Sequence, residues 1–182
     1  AIPVVVDDRV VDVRSIYSRD HAADADNAVF LMAGGFGTRL KHLTEECPKP
    51  LLRVGGKPIL KLIIEGFAQS GFSRFFVSTH YRSEMIRDYF GDGSALGVDI
   101  QYVHEYTPLG TAGALGLLPK DEIQSPFIMM NGDLLTTLNF RNLLDFHLAS
   151  DAIATICVSN YEYQVPYGVV ERDGERVVAI RE

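Results

Sequence analysis

The stretch VFLMAGGFGTRLKHLTEECPKPLL, Val29 to Leu52, runs from an apolar segment into closely spaced glycines and then into positive side chains. Glycine loops of this kind hold phosphates, because residues without a Cβ let backbone N–H groups approach an anion. The common versions imply different folds. The dinucleotide fingerprint needs GxGxxG, but Gly35-Phe36-Gly37 is followed by Thr38, Arg39 and Leu40, so the third glycine, which lets helix pack on strand, is missing. The P-loop needs GxxxxGK followed by Ser or Thr, and that spacing occurs nowhere in the chain. What remains is a loop in which glycines open the backbone to a triphosphate while Thr38 and Arg39 add a hydroxyl and a forked cation. Lys49 follows ten residues later, stiffened between Pro48 and Pro50.

The rest of the chain is acidic, with a net charge of −7, which argues against general nucleic-acid or anionic-membrane binding. Phosphate affinity is therefore local. Between Gly37 and Pro58 the balance reverses, with Arg39, Lys41, Lys49, Arg53 and Lys57 against Glu45 and Glu46. At 182 residues the chain is long enough for one ordinary domain, one that buries roughly 70% of its unfolded surface. Cys47 and Cys157 form neither a disulfide framework nor a CxxC zinc site, which suits a reducing cytoplasm. No apolar run reaches the ~20 residues needed to span a bilayer and no signal segment opens the chain, so a cytoplasmic protein is expected. The absence of an initial Met and the stop at Glu182 within a strand pair give the expectation that both ends continue.

From Ala28 onward, β-branched or aromatic runs alternate with amphipathic ones, the pattern of an α/β domain with a largely parallel sheet. Strands are expected at 28–32, 74–79, 99–104, 127–130 and 152–159, with a closing pair at 168–171 and 176–180 turned by Asp173-Gly174. Pro58 is placed to begin a helix with Ile59, Leu62, Ile63 and Phe67 on its apolar positions and Gly71 as its stop. Ser83 and Asn139 are expected to cap helices through Phe90 and Ala149, and a further helix should run from near Gly110 to before Pro119. Met85, Met129 and Met130 read as core packing. The opening residues 1–20 read as strand, acidic turn, strand and a helical start. They resemble the tail of a CBS module, or equally form a simple hairpin extension, and 21–27 read as a linker.

AGGFGTRL with PKPLL resembles the signature of the sugar nucleotidyltransferases, and further segments extend the resemblance over residues 28–182. GKPILKLIIEGFAQSGF is similar to the family's next helix, EYTPLGTAGAL to its base-binding segment, NGD to its metal site, and PYGVVERDGERVVAIRE to the start of its sugar-binding region. The resemblance implies a Rossmann-like three-layer α/β fold with a mostly parallel central sheet. It also implies transfer of a nucleotidyl group from an NTP to a sugar 1-phosphate with release of pyrophosphate. It implies nucleotide contacts from Leu31, Ala33, Gly34, Gly35, Gly37, Thr38, Arg39, Glu105, Gly110 and Thr111. Arg39, Lys49 and Asp133 would be catalytic, Arg39 on the β- and γ-phosphates and Lys49 between the α-phosphate and the sugar phosphate. Asp133 would hold Mg²⁺, with a second aspartate expected further downstream. Tyr167, Gly168 and Glu182 would meet the sugar. PLGTAG with Glu105 resembles the guanylyltransferase branch more than the thymidylyltransferases, which favours GTP.

The residue types suit that chemistry. A sugar 1-phosphate is already an anionic nucleophile near pH 7, so what it needs is cations and positioning rather than a Ser–His or Cys–His pair. Magnesium takes one or two carboxylates together with substrate phosphates and water, which an aspartate after an apolar strand supplies. His21, His42, His80, His104 and His147 show no ligand spacing and read as surface or satisfied core groups. Two rival readings stay open. One is a non-catalytic nucleotide-binding regulatory subunit, which intact Arg39, Lys49 and Asp133 oppose; the other is a glycosyltransferase, which would want DxD where this chain has Asn131-Gly132-Asp133. The sugar is not readable, with mannose, a heptose and glucosamine as candidates, of which the resemblance to CBS-fused members of the family favours glucosamine, and a homo-oligomer is left open.

Overall fold

The structure is a computed structural model that describes residues 2–6, 9–14, 25–35, 37, 40–107, 109–119, 121–123, 126–160 and 167–181. It divides into two compact units, Ala1–Ser150 and Asp151–Glu182.

In the first unit, β1 (Ile2–Val6) and β2 (Arg9–Arg14) pair as an antiparallel hairpin whose register shifts between Val4 and Val5. The expected helical start after it lies outside the described residues. Two residues of the expected linker are already docked: Ala25 is buried and bridges Phe72, and the Asn27 amide donates to Pro126 O at 2.6 Å.

The central sheet is built from β3 (Val29–Met32), β6 (Arg74–Thr79), β7 (Asp99–His104) and β8 (Ile128–Asn131), in the order β7-β6-β3-β8 and parallel throughout. The two inner strands, β3 and β6, are buried for nearly their whole length because both of their faces are covered. Alternation along them separates two cores. Val29, Leu31, Phe75 and Val77 face α2 (Ile59–Gln69), α3 (Ser83–Phe90) and α5 (Phe140–Ala149); Phe30 and Phe76 face the Ala114 and Leu118 side. Met130 joins the first core and Met129 packs on the second, as expected.

Between β3 and α2 lie the short helix α1 (Lys41–Thr44), a 3₁₀ turn at Lys49–Leu51, and a hairpin of β4 (Arg53–Val54) and β5 (Lys57–Pro58). Gly55 and Gly56 form its two-residue loop with φ of +58° and +83°, the left-handed pair that such a tight hairpin requires. Pro58 is the residue before α2 rather than its first residue, with ψ 143°. Helix α2 buries Leu60, Ile63, Ile64 and Phe67, a stripe slightly rotated from the expected one, because Leu62 sits beside it while Leu60 is wholly enclosed. Phe67 stacks on Phe140 at 3.6 Å between centroids and meets Phe72 edge-on, locking α2 to α5. Gly71, at φ +89°, ends the helix as expected.

Asn139 caps α5, its side chain accepting from Asn142 N–H at 3.0 Å. Ser83 does not cap α3. It is the first helical residue, and the capping position belongs to Arg82 in a left-handed conformation with no side-chain cap bond. The helix expected from Gly110 is α4 (Gly110–Gly113), which tightens into a 3₁₀ turn at Ala114–Leu117. No helix among the described residues is long and apolar enough to cross a membrane.

In the second unit, β9 (Val169–Asp173) and β10 (Arg176–Arg181) form an antiparallel hairpin. Its loop is Gly174-Glu175, one residue later than expected, since Asp173 pairs with Arg176 and Gly174 supplies the positive φ of 58°. The strand expected at 152–159 does not form among the described residues. A strand exists only with a ladder neighbour, and Ile153, Ile156 and Val158 stay exposed instead of entering a sheet face.

Candidate nucleotide site

The chain leaves β3 for β6 and β7 on one side, then crosses back to place β8 on the other side of β3. Ligands of open α/β sheets bind outside the carboxyl ends of the strands at such a reversal, so the crevice between β3 and β8 is the place to look. The glycine loop begins there. Ala33 N–H donates to Ser78 O at 3.0 Å, which ties the loop's first residue to β6. Gly34 and Gly37 are half-buried and Gly35 is exposed, with no atom within 4 Å of the position its Cβ would take. Gly37 turns the chain with φ +63°, and Thr44 Oγ1 donates to Gly37 O and Leu40 O, both at 3.1 Å, so α1 holds the loop's exit. Thr38 and Arg39 lie outside the described residues. Leu31 is completely enclosed in the core, so its side chain is not presented to a ligand.

On the far side of the crevice, Gly132 N–H donates to Met32 O at 2.8 Å. A Cβ on Gly132 would stand 3.0 Å from that carbonyl and 3.2 Å from Ala33 Cβ, so a glycine is what lets the loop after β8 close onto the glycine loop. The next residue, Asp133, forms an ion pair with Lys49, which reaches it from the Pro-flanked 3₁₀ turn across 84 residues of sequence. Pro48 and Pro50 are both buried, so Lys49 extends from an anchored backbone. Both charged side chains are about one-third exposed, at 32% and 35%. Two further cations of the positive island are engaged: Lys57 pairs with Glu65 at 2.7 Å, and Arg53 closes its own hairpin on Gly56 O at 3.1 Å.

A second group sits over the ends of β6 and β7. Glu105, the residue after β7, is 6% exposed. A Cβ on Gly34 would meet Glu105 Oε1 at 2.6 Å, so the glycine loop and this carboxylate are immediate neighbours. Leu109 N–H donates to Glu105 Oε2 at 3.4 Å. His80 Nδ1 lies 2.5 Å from Glu105 O; a carbonyl only accepts, so the proton of this bond is on Nδ1. Gly110, at φ +78°, turns the chain into α4, and the Thr111 side chain lies outside the described atoms. Tyr167 and Gly168 belong to the second unit, where Tyr167 is 76% exposed, and Glu182 is outside the described residues.

Lys49, Asp133, Glu105 and the glycines at 34, 35 and 37 are thus brought to one carboxyl edge of the sheet by β3, β7 and β8. Sequence reasoning passed over Thr44, whose hydroxyl holds the loop's exit, and read His80 only as a surface or satisfied core group, which its bond to Glu105 O fits. Among the described residues no group of three His, Cys, Asp or Glu side chains gathers to hold a metal.

The sequence matches the nucleotidyl transferase family over residues 28–182. It is 36% identical to the mannose-1-phosphate guanylyltransferase of Mycobacterium tuberculosis (strain ATCC 25618 / H37Rv) over 163 residues, 89% of this chain and 44% of that protein. The chain spans less than half the length of the curated relatives it matches. Among solved structures it resembles HddC from Yersinia pseudotuberculosis complexed with GMP-PN, with a TM-score of 0.60 and 28% identity over 86% of this chain and 69% of that one. A putative glucose-1-phosphate thymidylyltransferase from Bacillus anthracis shares the fold, with a TM-score of 0.68 at 23% identity over 86% of this chain and 63% of that one.

Proposed function

The chain belongs to the nucleotidyl transferase family, and from that premise we propose that it is the nucleotide-binding part of an enzyme transferring a guanylyl group from GTP to a sugar 1-phosphate. The observation that carries this reading is the convergence of Lys49 and Asp133 on the crevice bordered by the glycine loop. The barrier to the reaction is repulsion between two anions, since the sugar phosphate must attack the α-phosphorus of a triphosphate. Lys49 answers it with a point charge on an anchored backbone, and open glycines offer backbone N–H groups to the phosphates. Arg39 has the same role toward the outer phosphates. The Lys49–Asp133 pair, being partly exposed, is worth less than about 1 kcal/mol, so a triphosphate displaces it at small cost.

Asp133 is the residue that would hold magnesium. The donor set fits, because one carboxylate completed by phosphates and water is how this ion is bound, and an all-protein cage is not required. When bound, magnesium supplies charge neutralisation at the phosphates.

Glu105 supports GTP. A carboxylate accepts only, and guanine presents adjacent N–H donors on its pairing edge where adenine presents an acceptor beside its amino group. A nearly enclosed carboxylate next to the glycine loop therefore favours guanine. Tyr167 and Gly168 have the sugar-facing role, and mannose 1-phosphate, named in the curated relative, is the first acceptor to test. The test is pyrophosphate release by the full-length protein across GTP, ATP, CTP, UTP and dTTP with several sugar 1-phosphates. Release with GTP and one sugar is expected. No release with any pair overturns transfer and leaves a non-catalytic nucleotide-binding subunit.

A further inference from the structure

Arg82, between β6 and α3, is the one non-glycine residue with positive φ among the described residues, at φ 49° and ψ 44°. Such a conformation is unfavourable for a residue with a side chain and persists only where its surroundings over-determine it. Its surroundings are unusual. Arg82 Nη2 donates to Glu45 O at 2.7 Å and Nη1 to Glu46 O at 3.3 Å, while Nε donates to the Tyr81 hydroxyl at 3.0 Å. That hydroxyl donates in turn to Glu45 O at 3.0 Å. The guanidinium therefore grips two successive carbonyls of a segment, 45–47, that has no regular structure of its own.

That segment joins α1 to Lys49. Its upstream end is tied by Thr44 to the glycine loop, and its downstream end enters the buried prolines on either side of Lys49. Without Arg82, Glu46 O would lose the guanidinium and Glu45 O would keep only the Tyr81 hydroxyl, so the backbone that carries Lys49 would be held to the turn after β6 by that one bond. The planar fork of arginine suits this contact, where lysine offers a point charge. We propose that Arg82 is a positioning residue: by clamping Glu45 and Glu46 to the turn after β6 it sets the backbone from which Lys49 reaches the crevice. The inference rests on the reading of Lys49 as the cation of phosphate transfer.

Arg82→Gly is the discriminating variant, because glycine adopts the left-handed conformation freely and only the clamp is lost. In the full-length protein its kcat for pyrophosphate release should fall roughly 10- to 100-fold, the scale of a small misplacement of a catalytic group, with the KM for GTP within about 2-fold. Arg82→Lys should fall similarly. In a Lys49→Ala background the added Arg82→Gly should change kcat by less than about 2-fold, since residues acting as one unit are not additive. Amide exchange at Glu45, Glu46 and Cys47 should rise at least about 10-fold. Unchanged kcat in both variants, an undiminished effect without Lys49, or unchanged exchange overturns the proposal. If the wild-type protein releases no pyrophosphate with any pair, the transferase reading and Arg82's catalytic consequence fail together, and exchange alone then judges the clamp.

Discussion

Gly34→Ala measures how tightly the glycine loop is fitted against Glu105. The new Cβ would lie 2.6 Å from Oε1 and 3.2 Å from Cδ, where ordinary contact begins at 3.4 Å, so the carboxylate oxygen must retreat by 3.4 − 2.6, about 0.8 Å. The obstacle is the tip of a side chain, which can rotate, not backbone. Rotation sacrifices the Leu109 N–H bond, already long at 3.4 Å, which is worth about 0.5–1.5 kcal/mol. Mild overpacking adds to it, giving a destabilisation of about 1–2 kcal/mol and a fall in Tm of about 2–8 °C for a domain of this size. Affinity for GTP should drop by roughly 10-fold, about 1.4 kcal/mol and so comparable to the loss of stability, because the displaced carboxylate is the group that reads the base. Thermal melts and isothermal titration with GTP give both numbers. The control is Glu105→Ser, whose short side chain cannot reach Gly34. In that background Gly34→Ala should cost less than about 0.5 kcal/mol, whereas independent sites would add. Full additivity would refute the fitted contact as the cause.

Lys49→Ala should lower kcat by about 10²-fold or more, on the scale of one preorganised charge contact, with Tm within a few degrees of wild type. Near-wild-type turnover in a steady-state pyrophosphate assay would sink its assignment. Glu105→Gln, which keeps the shape and removes the charge, should reduce the preference for GTP over ATP by at least about 10-fold, as judged from kcat/KM for each. Tyr102 adds a pH dependence away from the site. Burial pushes its hydroxyl from 10.0 up to about 12, and it donates to Gly91 O at 2.8 Å. The unfolded chain loses this proton first, so the group's contribution is complete below pH 10 and disappears as pH rises toward 12. Tyr102→Phe should flatten stability across that window in alkaline denaturation curves.

Periodicity and composition carried the reading of the sheet. Strands β6 and β7 begin and end at the expected residues, and β3 and β8 within one, because their apolar, β-branched or aromatic runs contrast with the amphipathic segments between them. The run at 152–159 has the same composition and forms no strand, since composition does not supply a hydrogen-bonding neighbour. Ser83 shows the limit at a helix end. Its type suits a cap, but the cap position is taken by Arg82, whose guanidinium donates to a distant segment, and no local preference announces that an arginine will be left-handed.

The sequence by itself determined the ingredients of the site: a glycine loop that is neither a dinucleotide nor a P-loop motif, a lysine stiffened by two prolines, and an aspartate after an apolar strand. Those properties are local, arising from missing Cβ atoms, fixed φ angles and strand periodicity, which short stretches of chain specify. Only the tertiary structure decided that Lys49 meets Asp133, that Gly34 lies under Glu105, and that Gly132 closes the crevice onto Met32. Those contacts join residues far apart in sequence: β8 crossing back to pair beside β3 brings Asp133 and Gly132 to the crevice, and β7 laid beyond β6 brings Glu105 to the glycine loop.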